Sequence, residues 1–381
     1  MRPLLSIPSN DLARVRAGLE DALRGSGPAI IVLDDASLSP AESRTALPQL
    51  VADDIAVVIE TSGSSGEPKR VGLSAEALLA SARASHGRLG GPGQWLLALP
   101  ANYVAGLQVL TRSIDSGVDF IGLPGGPFTP EAFCRGVAAL DHDRRYSSVV
   151  PYQLARLCEF AEASGSARDI LGSLDALLVG GQATPADLID SVRRLGISVV
   201  TTYGSTETAG GCVYDGIPLP GVALELDEAG ELMISTHMLA SEYVSGAPST
   251  PRFLERDGSR WYRTGDTAEL VGGNLRVTGR VDRVLISGGV KVSLEAIESV
   301  AATVVAGGVV AVSVVDETWG ARPVLVIEGT GSDDLESQVR AVVLETSGRV
   351  AVPDRIIWVS SIPVLASGKP NLVAAAALAS Q

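Results

Sequence analysis

Short apolar runs alternate with stretches of helical spacing from residue 11 to about residue 202, and no other feature narrows the fold as far. Leu12, Val15, Leu19 and Leu23 recur at helical spacing, and Ala29-Ile-Ile-Val-Leu33 then reads as a buried strand. Ile55-Ala-Val-Val-Ile59 reads the same way, and Ser74 can cap a helix to about Arg88, with Glu76 in its first turn. Strands are expected at Trp95–Leu99, Val118–Leu123, Ser147–Val150, Ala176–Val179 and Ser198–Thr202. Helices near 104–114, 130–139, 152–163 and 185–195 separate them. Strands that take turns with helices imply a mostly parallel sheet with helices on its faces, an α/β fold.

From about Val222 the pattern shortens to strands with turn signals, at Ala223–Leu226, Glu231–Ile234, Trp261–Arg263, Ala268–Val271 and Leu275–Thr278, which reads as an antiparallel subdomain. Beyond Gly279 come a hairpin-like segment, a helix capped by Ser293, strands at 309–315, 323–328 and 355–359, a helix at 333–346 and a terminal helix. That is a small α+β domain. The expected boundary lies at Gly279-Arg280, dividing the chain into 1–279 and 280–381.

The chain has 381 residues, enough for two or three domains, and 46% hydrophobic composition can fill their cores. A net charge of −14 argues against a general nucleic-acid or anionic-membrane surface, so any basic site must be local. Cys134, Cys158 and Cys212 are odd in number and widely spaced, which suits reduced thiols in a cytoplasmic protein. His86, His142 and His237 are as scattered, and no zinc constellation or G-x-S-x-G elbow is present. No basic-then-apolar leader is read at the N-terminus. The uncharged stretch from Val300 to Val315 is too short to span a membrane and reads as a helix end, a turn and a strand.

The apolar run at 55–59 leads into Thr61-Ser62-Gly63-Ser64-Ser65-Gly66-Glu67-Pro68-Lys69-Arg70. Glycines that admit an anion close to the backbone, hydroxyls that donate, and the point charge of Lys69 suit a phosphate loop. It has neither the P-loop spacing nor the dinucleotide fingerprint. Four further segments follow in order: Gly180-Gly181-Gln182, Thr202-Tyr203-Gly204-Ser205-Thr206-Glu207, Tyr262-Arg263-Thr264-Gly265-Asp266, and Gly368-Lys369.

In this order, with GRVDRVLISGGVKVSLEAIE after Thr278, the chain resembles the acyl-adenylate-forming superfamily of acyl-CoA synthetases, luciferases and peptide-synthetase adenylation domains. The resemblance implies a large N-terminal domain and a small, mobile C-terminal one. It implies that Thr61, Ser62, Gly63, Ser64, Ser65, Gly66 and Lys69 hold the β- and γ-phosphates of ATP. Gly180, Gly181 and Tyr203 would wall the adenine, and Thr206 would contact the α-phosphate. Glu207 would bind Mg²⁺, a cation that wants carboxylate oxygen. Asp266, with Arg280 nearby, would take the ribose hydroxyls, and Lys369 would stabilise the charge that develops in adenylation. The chain would hinge around Gly279–Asp282, and the loop carrying Gly288, Gly289 and Lys291 would serve the pantetheine arm of CoA.

The family's P-x-x-H is altered here, with Tyr103 at the histidine position. Val149-Val-Pro-Tyr-Gln-Leu-Ala-Arg-Leu157 resembles a stretch of o-succinylbenzoate–CoA ligases of menaquinone biosynthesis, some of which are comparably short. That substrate has a second carboxylate, for which Arg144, Arg145 and Arg156 are the candidate partners. With only 4% aromatic residues, a pocket of small residues between 100 and 220 would suit one ring. The alternatives are another small aryl- or acyl-CoA ligase and a silent adenylate-binding module. Expected partners are the small acid, ATP and CoA, with no nucleic acid and no membrane insertion. A homodimer is compatible with the sequence.

Overall fold

Ala29–Leu33 is buried at all of its positions and Ile55–Thr61 at its first five, as expected of strands covered on both faces. The computed structural model describes residues 1–34, 47–61, 69–316, 318–364 and 370–379. They form two compact units, the first made of Met1–Leu224, Ile234–Tyr262 and Gly272–Leu275. The second is made of Glu225–Met233, Arg263–Val271 and Arg276–Gln381.

The first unit holds two large sheets. One has six strands in the order Glu242–Ser245, Lys69–Ser74, Ile55–Thr61, Ala29–Leu33, Arg2–Pro8, Leu50–Val51. Its middle pairs are parallel, while Ile55–Thr61 and Lys69–Ser74 are antiparallel, with Thr61 opposite Lys69. The other has seven strands in the order Ile217–Pro218, Gly210–Tyr214, Val199–Ser205, Ala176–Val179, Arg145–Val149, Gln94–Leu97, Ile121–Gly122. From Val199–Ser205 to Ile121–Gly122 it is parallel throughout, as the alternation requires. Helices Pro130–Ala138, Pro151–Ala163, Gly165–Gly172 and Ala186–Arg194 supply Phe133, Leu154, Leu171 and Val192 to the core on one of its faces. Ala75–Arg88 and Val104–Ser116 pack against each other and against its other strands. Asp11 and Ser74 cap their helices by accepting the Arg14 and Ala77 N–H at 3.1 Å each.

The strand Lys69–Ser74 was not expected, and the reason lies in its residues. Two charges and a glycine in Lys-Arg-Val-Gly-Leu-Ser carry no alternation, and only pairing with Ile55–Thr61 makes it a strand. Arg2–Pro8 and Gly165–Gly172 were also missed, and the strand expected at Val118–Leu123 shrinks to Ile121–Gly122.

In the second unit, Val309–Asp316 and Gly320–Glu328 pair antiparallel, and Arg355–Val359 adds in parallel. Leu294–Ala301 and Asp333–Ser347 bury Ile297, Val339 and Val343 with Leu325 and Ile327, while Leu372–Ala379 places Ala375 and Ala379 with Val310, Val324 and Val326. The stretch from Val300 to Val315 is therefore a helix end, a turn and a strand. No helix among the described residues is long and apolar enough to cross a membrane. Val284–Ser287 and Val290–Ser293 form a hairpin whose turn residues, Gly288 and Gly289, have φ of 55° and 82°. Both lie in the left-handed region that a tight hairpin turn needs and that favours glycine.

Candidate active site

Val199–Ser205 ends in a turn of 3₁₀ helix, Thr206–Thr208, which buries all three of its residues. The Ser205 N–H donates to the Thr208 hydroxyl at 2.9 Å, that hydroxyl reaches the Gly210 carbonyl at 2.7 Å, and Ala209 takes φ of 50° to reverse the chain. Glu207 is thereby fixed at 9% exposure. Its Oε1 accepts from the Tyr243 hydroxyl at 3.0 Å, and its carbonyl accepts from the Ala240 N–H at 2.8 Å. Among the described residues no lysine or arginine forms an ion pair with it. Burial, then the Glu207 charge, pushes the Tyr243 phenol well above its ordinary pKa, so it stays a donor. A desolvated carboxylate served by one neutral hydroxyl fits a Mg²⁺ whose other ligands come from phosphates and water.

Thr61 and Lys69 close the paired ends of the hairpin around the expected phosphate loop, with the Thr61 hydroxyl 3.5 Å from the Lys69 carbonyl. Ser62, Gly63, Ser64, Ser65, Gly66 and Lys369 lie outside the described residues.

Gly180, Gly181, Thr202, Gly204, Arg112 and Gln108 line a cavity of about 120 Å³ beside this strand end. Gly180 is required there, since a Cβ would lie 2.3 Å from the Thr202 Oγ1. Thr202 and Gly204 line the cavity, and Tyr203 between them is half-buried and is not part of that lining.

Arg112, on Val104–Ser116, is 3% exposed. Its Nη2 donates to the Ser85 hydroxyl at 3.2 Å and the Tyr214 hydroxyl at 3.4 Å, and its guanidinium carbon lies 4.5 Å from the centre of the Trp95 ring. Among the described residues, its Nε and the Gln108 Oε1 have no hydrogen-bond partner and no carboxylate pairs with Arg112. Burial lowers its pKa from the ordinary value. A buried guanidinium on a cavity wall, with no carboxylate partner among the described residues, has the chemistry to receive an anion.

The three arginines named as candidates for that role are elsewhere. Arg144 is exposed, Arg145 Nε donates to the His142 carbonyl at 3.1 Å, and Arg156 meets the Tyr152 hydroxyl at 3.2 Å and Glu159 at 3.8 Å on the surface. None lines the cavity. Arg145 begins its strand at the end opposite the cavity-lining Val149. Gln108 and Arg112, which sequence patterning did not single out, lie four residues apart on one flank of this helix and are both buried.

Behind Arg112, Trp95 Nε1–H donates to His86 Nε2 at 3.3 Å. Burial, reinforced by the Arg112 charge, lowers the His86 pKa from 6.5 to about 4. The folded protein therefore takes up this proton at lower pH than the unfolded chain. Its contribution to stability is complete above pH 6.5 and is lost as pH falls toward 4, by up to about 3 kcal/mol. His86→Gln keeps a hydrogen-bond acceptor without titrating, so its melting temperature should fall less between those limits. An unchanged pH profile would remove His86 as the source.

In the second unit, Arg280 pairs with Asp266 at 3.0 Å and with Asp282 at 2.8 Å. The Asp266 segment is held from behind by Glu231, 2% exposed, which accepts the Gly265 N–H at 2.9 Å and pairs with Arg263. Gly288, Gly289 and Lys291 are exposed on the hairpin, where the Gly288 N–H donates to the Trp319 carbonyl at 2.9 Å.

The paired strands Ile55–Thr61 and Lys69–Ser74, a buried carboxylate at a strand end and a cavity walled by a buried arginine are what the first unit brings to this site. The family model described as AMP-binding enzyme matches residues 16–244, and the chain belongs to that family, within the acyl-adenylate-forming superfamily. Over 387 aligned residues it is 36% identical to a relative from Mycobacterium tuberculosis (strain CDC 1551 / Oshkosh) named "Probable 2-succinylbenzoate--CoA ligase", spanning 98% of this chain and 97% of the relative. Among solved structures it is similar to the amide bond synthetase McbA of Marinactinospora thermotolerans, with a TM-score of 0.73, 25% identity, and 99% and 80% of the two chains covered. The o-succinylbenzoate CoA synthetase MenE of Bacillus subtilis, in complex with the acyl-adenylate intermediate OSB-AMP, has a TM-score of 0.72 over 94% and 80% of the chains. At 22% identity that likeness is one of fold.

Proposed function

We propose that this chain is an AMP-forming acid–CoA ligase that activates 2-succinylbenzoate in the cytoplasm, forming an acyl-adenylate with release of pyrophosphate and then a thioester with CoA. The observation that carries the substrate is Arg112, a buried cation on the cavity wall with no carboxylate partner among the described residues. A second carboxylate on the acid would complete it. The near full-length likeness to a relative of that name supports the same reading.

In this reading the residues 61–69 hold the distal phosphates, Gly180, Gly181 and Tyr203 flank the adenine, and Thr206 contacts the α-phosphate. Glu207 holds Mg²⁺, which supplies charge neutralisation at the phosphates. Asp266, oriented by Arg280, takes the ribose hydroxyls. Lys369 steadies the pentavalent phosphorus, and rotation of residues 280–381 about Gly279–Asp282 exchanges it for the Gly288–Gly289 turn and Lys291 as CoA arrives. The likeness to an amide bond synthetase favours a second reading, in which an amine takes the acyl group.

Pyrophosphate release measured over a panel of acids, with CoA or an amine as acceptor, tests both readings. 2-Succinylbenzoate should exceed benzoate and 4-phenylbutyrate in kcat/KM by about 10- to 150-fold, the scale of a hydrogen bond to a charged group. Multiple turnovers should require CoA. Equal use of a monocarboxylic acid would overturn the substrate, and faster turnover with an amine would favour the second reading.

A further inference from the structure

We propose that Tyr243 is a positioning residue that aims the Glu207 carboxylate at its divalent cation and ties that carboxylate to the strand Lys69–Ser74. The inference rests on the reading of Glu207 as the Mg²⁺ ligand. Residues 240–245 grip Glu207 twice, through the Ala240 N–H on its carbonyl at 2.8 Å and the Tyr243 hydroxyl on Oε1 at 3.0 Å. The same residues grip the hairpin: Ser241 N–H donates to the Gly72 carbonyl at 2.8 Å, and Tyr243 stands opposite Val71 in the strand that begins at Lys69.

The Tyr243 ring is itself fixed. It packs on Phe253 at 5.5 Å between centroids, Phe253 packs on Tyr262 at 5.4 Å, and the Arg260 guanidinium carbon lies 4.3 Å from the Phe253 centroid. A phenol that cannot swing away restrains the end torsion of the Glu207 side chain. Its donation to Oε1 turns the other oxygen to the cation and favours one-oxygen ligation. Hydrogen bonds of this kind to a metal-binding carboxylate typically change metal affinity tenfold or more when removed.

The test measures ATP binding by calorimetry with and without saturating Mg²⁺, since the ratio of the two Kd values reports the protein–cation contact apart from turnover. Tyr243→Phe keeps the ring, so its melting temperature should stay close to that of the parent and its ATP affinity in EDTA should not change. Its ratio should fall about tenfold. Glu207→Gln should abolish most of the ratio, and adding Tyr243→Phe to it should change nothing further. An unchanged ratio in Tyr243→Phe beside a reduced one in Glu207→Gln overturns the role of Tyr243 alone. Additive losses overturn action through Glu207. A full ratio in Glu207→Gln removes the cation reading and this inference with it.

Discussion

Replacing Lys369 by Ala should slow acyl-adenylate formation by at least about two orders of magnitude, corresponding to ~3 kcal/mol or more for a lost contact to charge that develops only in the transition state. The nucleophile is itself an anion attacking an anionic phosphate, so a cation that touches both acts where repulsion is greatest. The chain has three lysines, at 69, 291 and 369. Lys69 is committed to the hairpin strand and Lys291 to an exposed one, which leaves no lysine to substitute. Thioester formation from pre-made acyl-adenylate should survive. Equal loss of both half-reactions in a variant that melts normally would remove Lys369 from adenylation.

Arg112→Leu should cost about 3–5 kcal/mol in the transition state with 2-succinylbenzoate, because it leaves the spectator carboxylate buried and unpaired. That is roughly two to four orders of magnitude in kcat/KM, whereas benzoate should be used as well as before. Arg112→Lys should recover part of the loss, since an ammonium supplies charge without the planar fork. The Ser85 and Tyr214 hydroxyls lie 2.8 Å apart and remain satisfied by each other, so the fold should tolerate both changes. Selectivity that survives Arg112→Leu would place the carboxylate elsewhere.

What the sequence disclosed depended on periodicity. Ala176–Val179 appears where its uninterrupted, fully buried apolar run marked it, and Arg355–Val359 appears where four half-buried apolar residues follow one exposed arginine. Lys69–Ser74 escaped because its strand character comes from its partner rather than its own pattern. At the site, motifs placed Glu207 at a strand end and Asp266 beside Arg280, since backbone conformation there is a local property. Tyr243 and Arg112 were invisible for the opposite reason. Tyr243 meets Glu207 across 36 residues of chain, and what marks Arg112 is that no carboxylate among the described residues pairs with it, which only a packed neighbourhood reveals.

If that guanidinium receives the acid's second carboxylate, as proposed, it sets the protein's usefulness and its robustness against each other. Taking a cation out of water without a counter-ion is a standing loss that a well-packed Leu or Met at 112 would not incur. Heat-selected libraries screened without substrate should therefore drift toward apolar residues at this position and discard specificity as they gain resistance. Screened with a dicarboxylic acid present, the same libraries should keep the arginine, because an anion that binds only the folded form repays the loss in proportion to its concentration.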